Sequence, residues 1–134
     1  MPTCEFLTIG SELLNGSVLN TNAQFLAQRI SALDIDVVRQ VSCRDKEKEI
    51  LDALSLAFRR SDLIIATGGL GPTPDDITRQ TVAKFLGCDL KFDQAQYRHI
   101  VRYFKTLKRS VPFITRREAY LPEMAKPLLN RFGI

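Results

Sequence analysis

The sequence predicts an α/β fold, a three-layer α/β/α sandwich around a mostly parallel, doubly wound sheet. Apolar runs alternate with amphipathic helical segments along the 134 residues, as in strand–helix units that build a parallel sheet. The run Leu63–Ala66 is continuously apolar, which is typical of a strand covered on both faces. Three such units follow one another, and successive units of this kind wind with right-handed crossovers.

The first half of the chain contains two predicted strands and two predicted helices. Phe6–Ile9 is a short apolar run that ends at Gly10 and indicates the first strand. After a loop rich in Gly, Asn and Ser, apolar residues recur at i, i+4 and i+7 of a helix: Leu26, Ile30 and Leu33. Val37–Cys43 is β-branched enough for a second strand. Asp45 is predicted to cap the next helix, whose apolar face contains Ile50, Leu54, Ala57 and Phe58.

The second half begins with the strand Leu63–Ala66, which we predict to be central and inaccessible to solvent. A Gly- and Pro-rich loop follows, and then a helix that Gly87 closes; its apolar positions are Ile77, Thr81, Phe85 and Leu86. A fourth helix has an apolar face made of Tyr97, Ile100, Val101 and Phe104. Leu128 and Leu129 are a candidate start of a further strand. No linker or repeat is visible, so residues 1–134 are predicted to form a single domain.

Composition and cysteine spacing exclude several classes of protein. With 45% hydrophobic residues and ordinary Gly and Pro contents, the chain is neither collagenous nor strongly disordered. Its three cysteines lack any CxxC spacing, which argues against a disulfide framework and a structural zinc site. No apolar run reaches the roughly 18 residues of a membrane span, and the N-terminus lacks a secretory pattern. We therefore expect reduced thiols and a cytoplasmic location.

Two loops are predicted to lie at the carboxyl ends of the strands, where parallel α/β sheets bind ligands. The candidate ligand-binding residues of the first loop are Gly10, Ser11, Asn20 and Asn22, with Glu12 as a candidate catalytic carboxylate. Those of the second loop are Thr67, Gly68, Gly69, Gly71, Pro72 and Thr73. Glycines let the backbone approach a phosphate closely and present N–H groups to it, and the following helix adds its positive N-terminal end.

The acids Asp75 and Asp76 have two interpretations. Thr73 at an N-cap, Pro74 at the first helical position and acids in the first turn are ordinary features of helix initiation. However, two carboxylates beside a phosphate-binding loop would repel the phosphate unless a divalent cation lies between them. Mg²⁺ is characteristically held by one or two carboxylates together with substrate phosphates. The pattern therefore favours a site for Mg²⁺ or a similar ion, with Asp76 placed closer to the glycine loop.

Other sites have little support in the sequence. The glycine loop lacks the lysine of a P-loop and the GxGxxG spacing of a dinucleotide site, and His99 is the only histidine. Residues 94–117 contain seven Lys and Arg and no acid. This basic face is either the solvated side of an amphipathic helix or a surface that recruits phosphate. We expect no nucleic-acid partner, because no nucleic-acid-binding motif accompanies the charge.

Three segments carry a resemblance to a known family: Thr67 to Thr78, Ile9 to Gly16, and Asn20 to Ala23. In this order they resemble the N-terminal domain of competence/damage-inducible (CinA-like) proteins, in the molybdopterin-binding, MoaB/Mog-like superfamily. The resemblance runs from about residue 4 to the end. Such domains are similar to metal-dependent ADP-ribose pyrophosphatases; related domains adenylylate molybdopterin or occur in FAD synthases. Relatives continue past Ile134 and many add an amidase domain, so the chain is expected to lack its C-terminal end.

The resemblance implies hydrolysis of the pyrophosphate bond of ADP-ribose or a related nucleotide diphosphate. In this interpretation the backbone of Gly68, Gly69 and Gly71 binds the diphosphate, and Asp75 and Asp76 hold the metal. Glu12 adds a metal ligand or directs water, and Asn20 and Asn22 bind ribose or phosphate. One alternative is a module that binds a pterin or nucleotide without turnover. Another is a domain that mainly mediates assembly, since relatives form dimers or trimers.

Overall fold

A computed structural model describes residues 1–134, which divide into two compact units, 1–69 and 70–134. The first unit contains β1 (Thr3–Ile9), α1 (Ser11–Leu14), α2 (Thr21–Ser31), β2 (Asp36–Cys43), α3 (Glu47–Arg60) and β3 (Leu63–Thr67). The second unit contains α4 (Thr78–Leu86), β4 (Leu90–Phe92), α5 (Gln94–Thr106), a 3₁₀ helix (Phe113–Ala119) and β5 (Tyr120–Pro122). The predicted α/β class, with helices flanking a parallel sheet, is confirmed.

The sheet of the first unit has the order β2-β1-β3, with both pairs of strands parallel. The prediction that Leu63–Ala66 is central and inaccessible was wrong. Leu63 is 37% exposed, the rest of β3 is half-buried, and β3 pairs with β1 alone. The central strand is β1, in which six of seven residues are buried. An uninterrupted apolar run favours a strand of a parallel sheet, but it shows neither how exposed that strand is nor how many strands pair with it. The polar residues Glu5 and Thr8 make β1 look less apolar in sequence than it is buried in the fold.

Glu5 places a carboxylate in the most buried strand, and its charge is compensated by an arginine. The residue is only 1% exposed. Arg60, the last residue of α3, donates hydrogen bonds from Nε to Oε2 at 2.8 Å and from Nη2 to Oε1 at 2.5 Å. Ser61 donates a third bond to Oε2. The hydrogen bond from Arg60 is the largest cause that lowers the pKa of Glu5, against an opposing effect of burial.

We expect Arg60→Met to lower the Tm by roughly 10 °C at neutral pH, because the buried Glu5 carboxylate loses its cation. In the parent, Glu5 stabilises the fold fully above its unfolded pKa of about 4.3, and this contribution is lost as the pH falls through the lower folded pKa. In the variant, burial favours protonation of Glu5. The difference in Tm between Arg60→Met and the parent should therefore be smaller at pH 5 than at pH 7, which thermal melts at the two pH values measure.

Arg44→Met is the matched control for that experiment. Arg44 forms an ion pair with Glu49 at 3.8 Å, but both side chains are substantially exposed, so the pair contributes little. We expect the control to melt close to the parent. Equal melting temperatures for Arg60→Met and Arg44→Met would show that the buried Glu5 carboxylate does not need Arg60 for the stability of the fold.

Several predicted helix features are confirmed and others were wrong. Ile50, Leu54 and Ala57 form the buried face of α3 as predicted, and Gly87 ends α4 in the left-handed conformation at φ 68°. Phe58, by contrast, is 67% exposed, and Leu33 lies beyond the end of α2 with the same exposure. A period of i, i+4 and i+7 marks a helix face, but it does not mark where the helix ends.

Boundaries and short elements account for the remaining differences. The N-cap residue of α3 is Lys46, without a side-chain cap, because Asp45 binds Ser11 instead. The antiparallel pair β4–β5 was not predicted, since three-residue strands carry no readable period. Leu128 and Leu129, predicted to begin a strand, are exposed and outside regular structure. Whether residues 1–134 form a single domain stays a prediction.

The cysteines are free, as predicted. Burial is the largest cause that raises the pKa of the Cys43 thiol to about 11, so this thiol is protonated at neutral pH and is a poor nucleophile. None of the helices has the length and apolar character needed to cross a membrane.

Candidate ligand-binding site

A pocket lies at the carboxyl ends of β1 and β3, where the order of the strands reverses. The chain passes from β1 to β2 on one side and then to β3 on the other side of β1. In α/β sheets this switch point is where ligands bind. The pocket has a volume of about 150 Å³, and its lining includes Glu12, Asn20, Asn22, Thr67 and Gly68. The structure therefore brings together five predicted site residues from two separate loops.

Gly10 and Ser11 fix the start of the first loop. The amide of Gly10 donates to the carbonyl of Cys43 at 2.9 Å, which ties the loop to the end of β2. The amide and hydroxyl of Ser11 both donate to the Asp45 carboxylate, at 3.0 and 3.3 Å. Ser11 therefore holds two loops together, and neither residue lines the pocket.

Glu12 is exposed at the edge of this pocket. Its carboxylate lies against the backbone of Gly10, where a Cβ added to the glycine would be 2.4 Å from Oε1. No hydrogen bond from a protein group holds this carboxylate in place. Glu12 is thus an unanchored acid at the mouth of the pocket, able to contact a ligand or a water molecule.

The two asparagines have different roles. Asn20 accepts a hydrogen bond from the Ala23 amide at 3.1 Å and donates from Nδ2 to the Thr8 hydroxyl at 3.2 Å. It is the N-cap residue of α2, so both ends of its amide already have protein partners. Asn22 lies in the first turn of the same helix and is exposed. Asn22 therefore has the side chain better placed to meet a ligand.

Gly68 and Gly69 have positive φ angles of 94° and 61°, a backbone conformation that favours glycine. At Gly68 the surroundings also require glycine, because an added Cβ would be 1.9 Å from the carbonyl oxygen of Ile9. The turn after β3 is thus pressed against the end of β1. This close approach forms the floor of the pocket.

In the second unit, Asp76 organises the remainder of the glycine-rich loop. Its Oδ2 atom accepts hydrogen bonds from the amide and the hydroxyl of Thr73, at 2.9 and 2.6 Å. The Thr73 hydroxyl is the largest cause that lowers the pKa of Asp76, and the Gly71 amide contributes as well. The amide of Gly71, which was predicted to bind a phosphate, and the amide of Thr73 are therefore directed at a carboxylate.

Asp75 differs from its neighbour because it is exposed and takes no part in these hydrogen bonds. The prediction that Thr73 caps a helix beginning at Pro74 was wrong: α4 begins at Thr78, and Ile77 is its N-cap residue. The acids lie in a turn that precedes the helix, so helix initiation does not explain them. Pro72 accepts a hydrogen bond through its carbonyl oxygen.

The residues fit a divalent ion only if a ligand completes its coordination. No group of three or more His, Cys, Asp or Glu side chains in residues 1–134 is arranged to hold a metal. Within the second unit, Asp75 supplies an exposed carboxylate and Asp76 supplies Oδ1, the oxygen not used by Thr73. One or two carboxylates suffice for Mg²⁺ when phosphate oxygens and waters provide the other ligands.

Two arginines that no sequence motif singled out hold this loop through its carbonyl groups. Arg79 of α4 donates from Nη1 to the carbonyl of Leu70 at 2.8 Å and from Nη2 to that of Gly71 at 3.0 Å. Arg117 donates from Nη1 to the carbonyl of Pro72 at 3.1 Å. Glu118 has a buried Oε2 atom without a hydrogen-bond partner, and burial is the largest cause that raises its pKa. The only sequence feature that pointed to Arg117 was the basic segment of residues 94–117, which contains no acid.

Comparisons with known proteins agree with the fold. Residues 5–130 match the family described as "Probable molybdopterin binding domain". A "Putative competence-damage inducible protein" from Thermoanaerobacter sp. (strain X514) is 43% identical over 129 residues, which are 96% of this chain and 31% of that protein. The chain thus spans about a third of the length of the curated relatives it matches.

Two solved structures extend the comparison. The protein CinA from Thermoplasma acidophilum, whose function is described as unknown, aligns with a TM-score of 0.84 at 31% identity, over 98% of this chain and 77% of that one. MoaB of Thermus thermophilus, described as a molybdopterin biosynthesis enzyme, aligns with a TM-score of 0.62 at 20% identity, over 85% and 69% of the two chains. The second likeness shows a shared fold.

Proposed function

The chain belongs to the molybdopterin-binding domain family and is related to the CinA proteins, and we propose that it hydrolyses the pyrophosphate bond of a nucleotide diphosphate such as ADP-ribose. The observation that carries the proposal is the pocket at the switch point of the sheet, where Gly68 and two polar side chains, Glu12 and Asn22, converge. Its volume of about 150 Å³ is below the roughly 300–1,000 Å³ of whole-ligand pockets. It therefore suits one end of a nucleotide diphosphate, a phosphate or a ribose.

The proposed chemistry needs a divalent ion, because two phosphates and the carboxylates Asp75 and Asp76 otherwise repel each other. When bound, such an ion stabilises the charge that develops on a transferring phosphoryl group. Asp75 is its proposed protein ligand, with Asp76 fixing the loop and offering Oδ1. Glu12 is proposed to accept a proton from the attacking water, since its carboxylate is exposed at the pocket and has no competing protein partner.

The test is a product assay with ADP-ribose after EDTA treatment, with and without added Mg²⁺ or Mn²⁺. We expect release of AMP and ribose 5-phosphate only with metal, and we expect Glu12→Gln to reduce the rate by about 10²-fold with an unchanged Tm. Glu123→Gln is the control. Glu123 is an exposed acid that pairs with Lys91, and neither residue belongs to the site motifs. Binding of ADP-ribose by calorimetry without AMP release under any metal would refute hydrolysis.

A second candidate is a module that binds a pterin or nucleotide without turnover. The family description, which names molybdopterin binding and no reaction, favours it. The same calorimetry, repeated with molybdopterin-like pterins, separates the two proposals. Assembly into a dimer or trimer is also a proposal, and light scattering of the purified chain tests it.

A further inference from the structure

Two amides of the glycine-rich loop in the second unit are already used within the protein and are not available to an oxyanion. The amides of Gly71 and Thr73 are directed at Asp76. The carbonyls of Leu70, Gly71 and Pro72 accept hydrogen bonds from arginines. The guanidinium groups that bind these carbonyls are therefore the source of positive charge for an anion at this loop.

Two arginines contact the loop, and they differ in what remains available to a ligand. Arg79 is half-buried and uses both Nη atoms on loop carbonyls. Burial is the largest cause that lowers its pKa, although a guanidinium stays charged at any physiological pH. Arg117 is exposed and makes a single hydrogen bond from Nη1. Since a guanidinium has five N–H donors, Arg117 keeps most of its donors for a ligand.

These guanidinium groups border a cavity of ligand size. The cavity has a volume of about 370 Å³ and is lined by Arg79, Gln80, Leu90, Arg117 and Tyr120. That volume lies within the roughly 300–1,000 Å³ of small-molecule sites. Its lining combines two cations and an amide with an apolar and an aromatic wall, which suits a phosphate attached to a ring.

We propose that Arg117 is a phosphate-binding residue, which holds an oxyanion of a phosphorylated ligand in the cavity it shares with Gln80 and Tyr120. Arg79 is a positioning residue: it holds the loop carbonyls so that the Arg117 guanidinium stays beside Pro72. Only the choice of a nucleotide diphosphate as ligand rests on the proposed function. The recognition itself requires a planar cation that binds two phosphate oxygens at once.

The test measures binding of inorganic pyrophosphate and of ADP-ribose by calorimetry at about 50 mM and about 300 mM NaCl, because salt screens exposed charge pairs. We expect Arg117→Gln to weaken both ligands about 10-fold at low salt, with an unchanged Tm and a smaller dependence on salt. Arg117→Lys should recover only the part of the affinity that comes from charge, because the lysine ammonium lacks the planar pair of N–H donors. Arg79→Gln should lower the Tm as well as the affinity, as a positioning role requires.

Arg116→Gln is the matched control, because the neighbouring Arg116 carries the same charge but stacks over Phe92 at 4.5 Å. It should bind both ligands like the parent. If the parent binds pyrophosphate and Arg117→Gln binds it equally well, the role of Arg117 is wrong while the proposed hydrolysis stands. If the parent binds both ligands and Arg117→Gln weakens them, but the parent releases no AMP, the proposed hydrolysis is wrong and the phosphate-binding role of Arg117 is supported. A parent that binds neither ligand overturns both.

Discussion

Gly68→Ala is expected to lower the free energy of unfolding by about 4 kcal/mol, enough to leave little folded protein. The φ angle of 94° alone costs a side-chain-bearing residue about 1–2 kcal/mol. The larger part comes from the Cβ, which would lie 1.9 Å from the carbonyl oxygen of Ile9. Neither backbone can retreat without disturbing the pairing of β1 with β3. Urea unfolding followed by circular dichroism measures the loss.

Gly16→Ala isolates the effect of that contact. Gly16 has a φ of 78°, but an added Cβ would meet nothing within 4 Å. This variant should lose only the conformational part, about 1–2 kcal/mol. If the two substitutions cost the same, the turn after β3 can move away from Ile9, and the floor of the pocket is not rigid.

The sequence pattern explains only part of why residue 68 is a glycine. Glycines after a buried strand indicate close approach of the backbone to a ligand. The structure adds that Gly68 must also pack against the carbonyl of Ile9, a residue far away in the chain. A local sequence pattern cannot predict this contact between Gly68 and Ile9, because it depends on the register between β1 and β3.

The same limit separates the positions that strand order predicts from the hydrogen-bond partners that it does not predict. Glu12, Asn22 and Gly68 meet at one pocket because carboxyl ends of parallel strands share an edge, which strand order alone predicts. Ser11 and Asn20 fall in the same loop, but their hydrogen-bonding groups are taken by Asp45 and by Thr8. Such partners lie on other elements and become visible only in three dimensions.

Asp75 and Asp76 also illustrate why adjacent, chemically identical residues need a structure to be told apart. From the sequence, Asp76 is the preferred metal ligand because it should project toward the glycine loop. It does so, but its Oδ2 is occupied by two hydrogen bonds from Thr73. The exposed Asp75 takes no part in these hydrogen bonds, which makes its carboxylate the better candidate for a metal ligand.

Asp75→Asn is therefore expected to reduce metal-dependent release of AMP by about 10²-fold or more, with an unchanged Tm. Removing the charge that a divalent ion needs costs roughly 2.7 kcal/mol of transition-state stabilisation at that rate ratio. Steady-state kinetics across a titration of Mn²⁺ measures this effect, and excess metal should restore part of the rate. Full activity of Asp75→Asn at every metal concentration would remove Asp75 from the mechanism.

Asp76→Asn should instead lower both activity and stability. Its carboxylate accepts bonds that hold the Thr73 turn, and hydrogen bonds to a charged group are worth about 1–2 kcal/mol when half-exposed. Because the folded pKa of Asp76 is lowered, this stabilisation is complete above the unfolded pKa of about 3.9 and disappears as the pH falls through the folded value. The melting temperatures of parent and Asp76→Asn should thus differ at pH 7, and the difference should shrink as the pH falls below about 3.9, whereas Asp75→Asn should melt with the parent at pH 7. Equal melting temperatures of parent and Asp76→Asn at pH 7 would mean that the charge of Asp76 does not hold the loop.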